Sequence, residues 1–157
     1  MKIKSQVFGE QTVDPDTIIT FPRGIPGFED QTRFKLFHQE GKQVIYWLQS
    51  LDDEDLIFSV AQPSTFNINY NFELSDDETT LLQTDLPDEI LILIILHKDE
   101  STPTIKGSIN SPLLINSVKR IGFQKVLVFV EQSITLTETR NQIELSERAQ
   151  ALGTSQG

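Results

Sequence analysis

The run Ile90-Leu91-Ile92-Leu93-Ile94-Ile95-Leu96 does most to limit the fold of this chain. A strand with one wet face alternates apolar and polar side chains. An unbroken run of this length is expected only where both faces are covered. It falls far short of the ~20 residues that span a bilayer. The chain must therefore set this strand near its centre and build a layer on each side. Carboxylates precede the run and Lys98-Asp99-Glu100 follows it. Charges so placed act as gatekeepers against aggregation.

The neighbouring segments supply more strands than helices. Arg33 to His38 alternates in part, and Gly41 follows as a turn. Val44 to Gln49 is β-branched and aromatic, and Leu56 to Val60 follows an acidic turn. Asn67 to Leu74 has the cleanest period of two. Ile68, Tyr70, Phe72 and Leu74 share a face expected to be buried, with the asparagines toward water. Ile105 to Ile109, Leu113 to Asn116 and Lys125 to Val130 complete the expected strands, with a loop at Pro103.

One helix start is well marked. Ser75-Asp76-Asp77-Glu78 has the form of a capping box, in which the Ser75 hydroxyl accepts from the Glu78 N–H and the Glu78 carboxylate from that of Ser75. The aspartates face the positive end of the helix dipole. The helix is expected near 75–84, docked by Leu81 and Leu82, with Pro87 past its end. A C-terminal helix is expected over Ile143 to Leu152, and 153–157 reads as a polar tail. Many short strands, one internal helix and no βαβ alternation predict an all-β, mainly antiparallel fold, a small barrel or a sandwich. The division expected is one β domain over 1–130 and a C-terminal extension over 131–157, partly helical or disordered. The 157 residues suit a single domain of about 100–200 residues.

Composition narrows the function. There is no cysteine, which excludes disulfides and thiolate metal sites and suits the cytoplasm. The first residues lack the apolar core of a signal peptide. From Gln43 to His97 there is no lysine or arginine but eleven carboxylates: Asp52, Asp53, Glu54, Asp55, Glu73, Asp76, Asp77, Glu78, Asp85, Asp88 and Glu89. The net charge of −10 arises wholly in that third of the chain. Such a field repels nucleic acid and draws basic protein surfaces.

Catalytic and metal motifs are missing. The two histidines, His38 and His97, lack a patterned partner, and no serine elbow, P-loop or dinucleotide glycine motif occurs. An EF-hand needs Gly at its sixth and Glu at its twelfth position. Counted from Asp52 these are Ile57 and Pro63, and counted from Asp76 they are Leu81 and Pro87. No cofactor, metal or catalytic residue is expected. The remaining conspicuous element is Phe21-Pro22-Arg23-Gly24-Ile25-Pro26-Gly27-Phe28-Glu29. Proline fixes φ and glycine supplies positive φ, so this is a stiff elbow, with Pro26-Gly27 suited to the centre of a type II turn. Its apolar residues either plug the core or offer a preorganised surface to a partner.

Four stretches in order make the chain resemble the FliW family of flagellar assembly factors. The first is Phe21-Pro22-x-Gly24-Ile25-Pro26-Gly27-Phe28-Glu29. The second is Trp47-Leu48-Gln49-Ser50-x-Asp52-Asp53-x-x-Leu56-x-Phe58-x-Val60, followed by Pro63, Phe66 and Tyr70. Phe72-Glu73-Leu74-Ser75-Asp76 comes third. Ser111-Pro112-Leu113-Leu114-Ile115-Asn116, with Arg120, Gly122 and Gln124, comes last. The match spans Met1 to Val130. The resemblance implies a small, non-catalytic β-barrel-like protein that is monomeric when free and binds neither membrane nor nucleic acid directly. It implies binding of the translational repressor CsrA, which is thereby kept off flagellin messenger RNA, and binding of flagellin. The alternative is a flagellin-only export chaperone. Partner-binding residues expected here are Ile25, Phe28, Glu29, Asp52, Asp53, Asp55, Asp76 and Asp77.

Overall fold

The computed structural model describes residues 1–38, 45–98, 105–127, 130–136 and 141–147, with backbone alone for 98, 105–106, 130–136 and 141–147. In chain order the elements are β1 (Lys2–Ser5), β2 (Gly9–Thr12), β3 (Ile19–Thr20), β4 (Arg33–His38), β5 (Tyr46–Ser50), β6 (Ile57–Ala61) and β7 (Ile68–Asn71). Then come α1 (Asp76–Leu82), β8 (Ile90–Lys98), β9 (Ile105–Gly107), β10 (Leu113–Asn116), β11 (Ile121–Gln124), β12 (Val130–Leu136) and β13 (Asn141–Glu147).

Seven strands close into a barrel in the order β10-β11-β3-β4-β5-β6-β8, and β8 pairs back onto β10. Closure removes the free edges on which sheets aggregate. A ring with an odd number of strands cannot alternate direction throughout, and the one parallel joint is β11 with β3. Strand β8 makes closure possible. Its Ile90–Leu93 half pairs with β10, its Ile94–Leu96 part with β6, and its end with β9. The all-β expectation holds, and the choice between barrel and sandwich falls to the barrel.

The apolar run of β8 is covered on both faces, as its composition requires. Leu93 lies in the barrel core with Phe21, Phe34, Leu48, Val60, Leu113 and Ile115, and Leu91 and Ile95 pack against that core. Each large side chain so buried stabilises the fold by about 1.5–3 kcal/mol. The alternate residues point outward under a second layer. Ile90 and Ile92 meet Leu82, Leu114 and Phe123, while Ile94 and Leu96 meet Ala61, Ile68 and Tyr70. That outer layer is α1 and β7, the edge strand of the three-stranded sheet β12-β13-β7. The hairpin β1–β2 covers another part of the wall, where Phe8 packs at a tilt against Phe37 and meets Trp47 edge-on.

Several expectations need correction. The helix expected from Ile143 is strand β13 as far as Glu147, because it pairs in parallel with β7 and antiparallel with β12. Ladder bonds on both edges outweigh a weak helical pattern. The strand expected over Lys125 to Val130 is displaced: β11 ends at Gln124, and the chain from Lys125 to Leu127 is not strand. Strands β1, β2 and β3 have no counterpart among the expected segments. Gly41, Val44, the gatekeepers Asp99 and Glu100, Pro103 and residues 148–157 lie outside the described residues.

Candidate functional site

The Phe21–Glu29 elbow sits where β3 leaves the barrel. Phe21 is fully buried, and the Phe28 N–H donates to the Ile25 carbonyl at 2.6 Å across Pro26-Gly27. Gly27 has φ of 91°, the conformation that the third residue of a type II turn demands. Gly24 has φ of 67°, and a Cβ there would lie 2.5 Å from the Glu29 Cα. The elbow is thus folded tightly on itself. Glu29 takes part, since its carboxylate accepts from the Gly27 N–H at 3.1 Å.

The elbow's apolar residues divide between the two roles. Ile25 is 2% exposed and belongs to the barrel core, so it offers no surface. Phe28 is 40% exposed. Its ring meets Phe58 at 5.4 Å, Phe58 meets Phe34 at 6.2 Å, and Phe34 meets Phe21 at 5.5 Å. A ladder of aromatic rings therefore runs from the core to an exposed tip.

The acidic turn between β5 and β6 lies beside that tip. Ser50 is its keystone: its hydroxyl donates to Gln31 Oε1 at 2.7 Å and accepts from the N–H groups of Asp52 and Asp53. Gln49 is fully buried under the turn. Its amide nitrogen lies within 3.0–3.4 Å of the carbonyls of Ser50, Asp53, Glu54 and Leu56. Hydrogen bonds spent in this way leave the carboxylates outward. Asp52, Asp53, Glu54 and Asp55 are all exposed. Asp52 pairs with Arg33, and the hydrogen bond and charge of Asp52 raise the Arg33 pKa. Gln6, in the turn after β1, donates its N–H to the Glu54 carbonyl at 3.1 Å and its side-chain amide to Asp55. The next residue, Val7, is 53% exposed.

Phe28, Glu29, Asp52, Asp53 and Asp55 are thus collected around one end of the barrel, linked by the Phe28–Phe58 and Ser50–Gln31 contacts. Arg23 is exposed on the same elbow, and Asp30 adds a carboxylate. Asp76 and Asp77 belong elsewhere. They open α1, which packs on β11 through Leu82 and Phe123. In the ring, β3 and β4 separate β11 from the β5 strand that begins the turn. Sequence reasoning placed Phe58 in a family motif but not at the site, and it missed Gln31 and Gln6, which nothing in their local spacing marks because each acts through a partner distant in the chain.

The family model described as FliW protein matches residues 2–139. The chain belongs to the FliW family. It is 41% identical to a flagellar assembly factor FliW of Azoarcus sp. strain BH72, over 88% of this chain and 99% of that one. It is 40% identical to the protein of the same name from Chromobacterium violaceum, over 80% of this chain and 92% of that one. A crystal structure of the flagellar assembly factor FliW superimposes with a TM-score of 0.72 at 26% identity, covering 90% of this chain and 93% of that one. The FliW match continues past Val130, where the resemblance drawn from motifs stops. Among the described residues no group of three or more His, Asp or Glu is placed to hold a metal ion. No helix among them is long and apolar enough to cross a membrane.

Proposed function

We propose that this FliW protein is a cytoplasmic, non-catalytic assembly factor that works by capturing CsrA and flagellin in turn. Capture of CsrA lifts its repression of flagellin messenger RNA; capture of flagellin withdraws the factor until the subunit is exported. The observation that carries this reading is the exposed ring of Phe28 at the barrel end that also carries the exposed carboxylates Glu29, Asp30, Asp53, Glu54 and Asp55. An RNA-binding protein presents basic side chains to phosphates, and a carboxylate rim attracts the same side chains. The aromatic tip supplies desolvated contact area, which charge alone does not. Because the elbow is already folded, little conformational entropy is lost on docking.

The direct test is to mix the purified protein, monomeric when free, with CsrA from the same organism and to size the product. A complex that no longer holds a flagellin leader RNA supports the proposal; absence of a complex contradicts it. Capture of flagellin without CsrA selects the export-chaperone reading.

A further inference from the structure

A second surface, on another side of the barrel, has no role in the reading above. Between β7 with its continuation to Leu74, helix α1 and the start of β8 lies a groove of about 530 Å³. Phe72, Leu74, Ile90 and Ile92 form apolar parts of its lining, and Glu73 and Asp85 are its charged members. Both carboxylates are exposed, and the four apolar side chains are only half-buried. The lining residues all fall within 70–92, inside the stretch that has no lysine or arginine. Lys125 reaches this wall, with its ammonium 5.6 Å above the Phe72 ring, but it is 7% exposed and bound to both oxygens of Glu78.

We propose that this groove is a docking site for a protein segment with apolar anchors flanked by lysine or arginine. Its volume is that of a built binding cleft. Its wall carries half-covered apolar surface beneath two acids, with no opposing free base among the described lining residues. That combination selects the occupant. A nucleic acid or an anionic lipid meets like charge, and a second copy of this chain brings −10 of its own. A basic amphipathic segment satisfies both the floor and the rim.

The test uses a short fluorescein-labelled peptide with leucine on one helical face and lysine on the other, and a matched leucine–glutamate peptide. Thr79 lines the groove, whereas Thr80, the next residue of α1, does not line it and is exposed. Thr79→Arg and Thr80→Arg therefore change the protein's charge equally, and only the first blocks the groove. Fluorescence polarisation is expected to show the lysine peptide binding the unaltered protein, about tenfold or more weaker binding to Thr79→Arg, and a change within about twofold for Thr80→Arg. Methyl resonances of Ile90 and Ile92 should shift on titration. Equal losses in the two variants, equal binding of the glutamate peptide, no binding at all, or unmoved methyl signals would overturn the proposal. None of these outcomes bears on the Phe28 surface, which is altered in neither variant.

Discussion

The rings of Phe28 and Phe58 stand at 80° to each other with centroids 5.4 Å apart, and Phe28 nevertheless keeps 40% of its surface in water. Edge-to-face geometry holds the ring in place and leaves part of its surface free. Phe28→Ala is expected to lower stability by about 1 kcal/mol, since the ring is only partly buried. The same change should weaken the CsrA complex by about tenfold or more, as an aromatic anchor at the middle of an interface does. Urea unfolding and titration of the complex measure the two effects. An unaffected complex would remove Phe28 from the interface.

The elbow's rigidity can be tested by two alanines. At Gly24 a Cβ collides with the Glu29 backbone and φ is 67°; at Gly27 φ is 91° but nothing lies within 4 Å. Gly27→Ala is expected to cost about 1–2 kcal/mol, from the left-handed conformation alone. Gly24→Ala should cost more than that, about 3 kcal/mol, because the backbone of Glu29 must move as well. Equal urea midpoints for the two variants would contradict this account of the loop.

Helix α1 has only seven residues and cannot persist alone. Glu78 holds it twice, by accepting from the Ser75 N–H at 2.8 Å and from Lys125 Nζ at 2.9 and 3.0 Å. Lys125→Ala strands a partly buried carboxylate and is expected to cost about 2 kcal/mol. Adding Glu78→Gln to that variant should recover part of the loss, since no buried charge is then left unpaired. A double-mutant cycle in urea checks it, and simple additivity would show that the pair is not coupled.

Burial raises the Tyr70 pKa above its ordinary value of 10.0, and its hydroxyl donates to the Ile109 carbonyl. The unfolded chain therefore releases this proton at lower pH than the folded one. Stability from Tyr70 is complete below about pH 10 and is lost as pH rises toward the folded value. Tyr70→Phe should flatten that alkaline decline. Unfolding free energies at about pH 9 and about pH 11 give the comparison, and parallel declines would count against it.

The parts of the molecule legible in the sequence are those written in local periodicity. The run of β8 announced two covered faces, and Ser75 to Glu78 announced a capping box whose two reciprocal bonds are present. Ile68 and Tyr70 are half-buried and Asn69 and Asn71 exposed, the alternation their spacing implies. What escaped was decided by distant partners. Residues Ile143 to Glu147 become strand because β7 and β12 lie on either side, and Ile25 turns inward while Phe28, three residues on, does not. The two-residue strand β3 depends on β4 and β11 and carries no pattern of its own. Of the acidic residues, the chain order suggests one lobe, whereas the ring order separates the β5–β6 turn from α1.

The central claim is that the acidic end of the barrel draws in a basic partner. Asn at positions 52, 53 and 55 keeps hydrogen-bonding oxygens for the turn, including the Asp53 oxygen that accepts from the Asp55 N–H at 3.0 Å. The Arg33–Asp52 pair is exposed and adds little to stability. The decisive measurement is the stopped-flow association rate with CsrA against ionic strength, for the unaltered protein and for Asp52→Asn, Asp53→Asn, Asp55→Asn combined. The rate should fall steeply with salt in the first and be slower and flatter in the second, with folding unchanged. A rate that ignores salt and is the same for both proteins would contradict the claim.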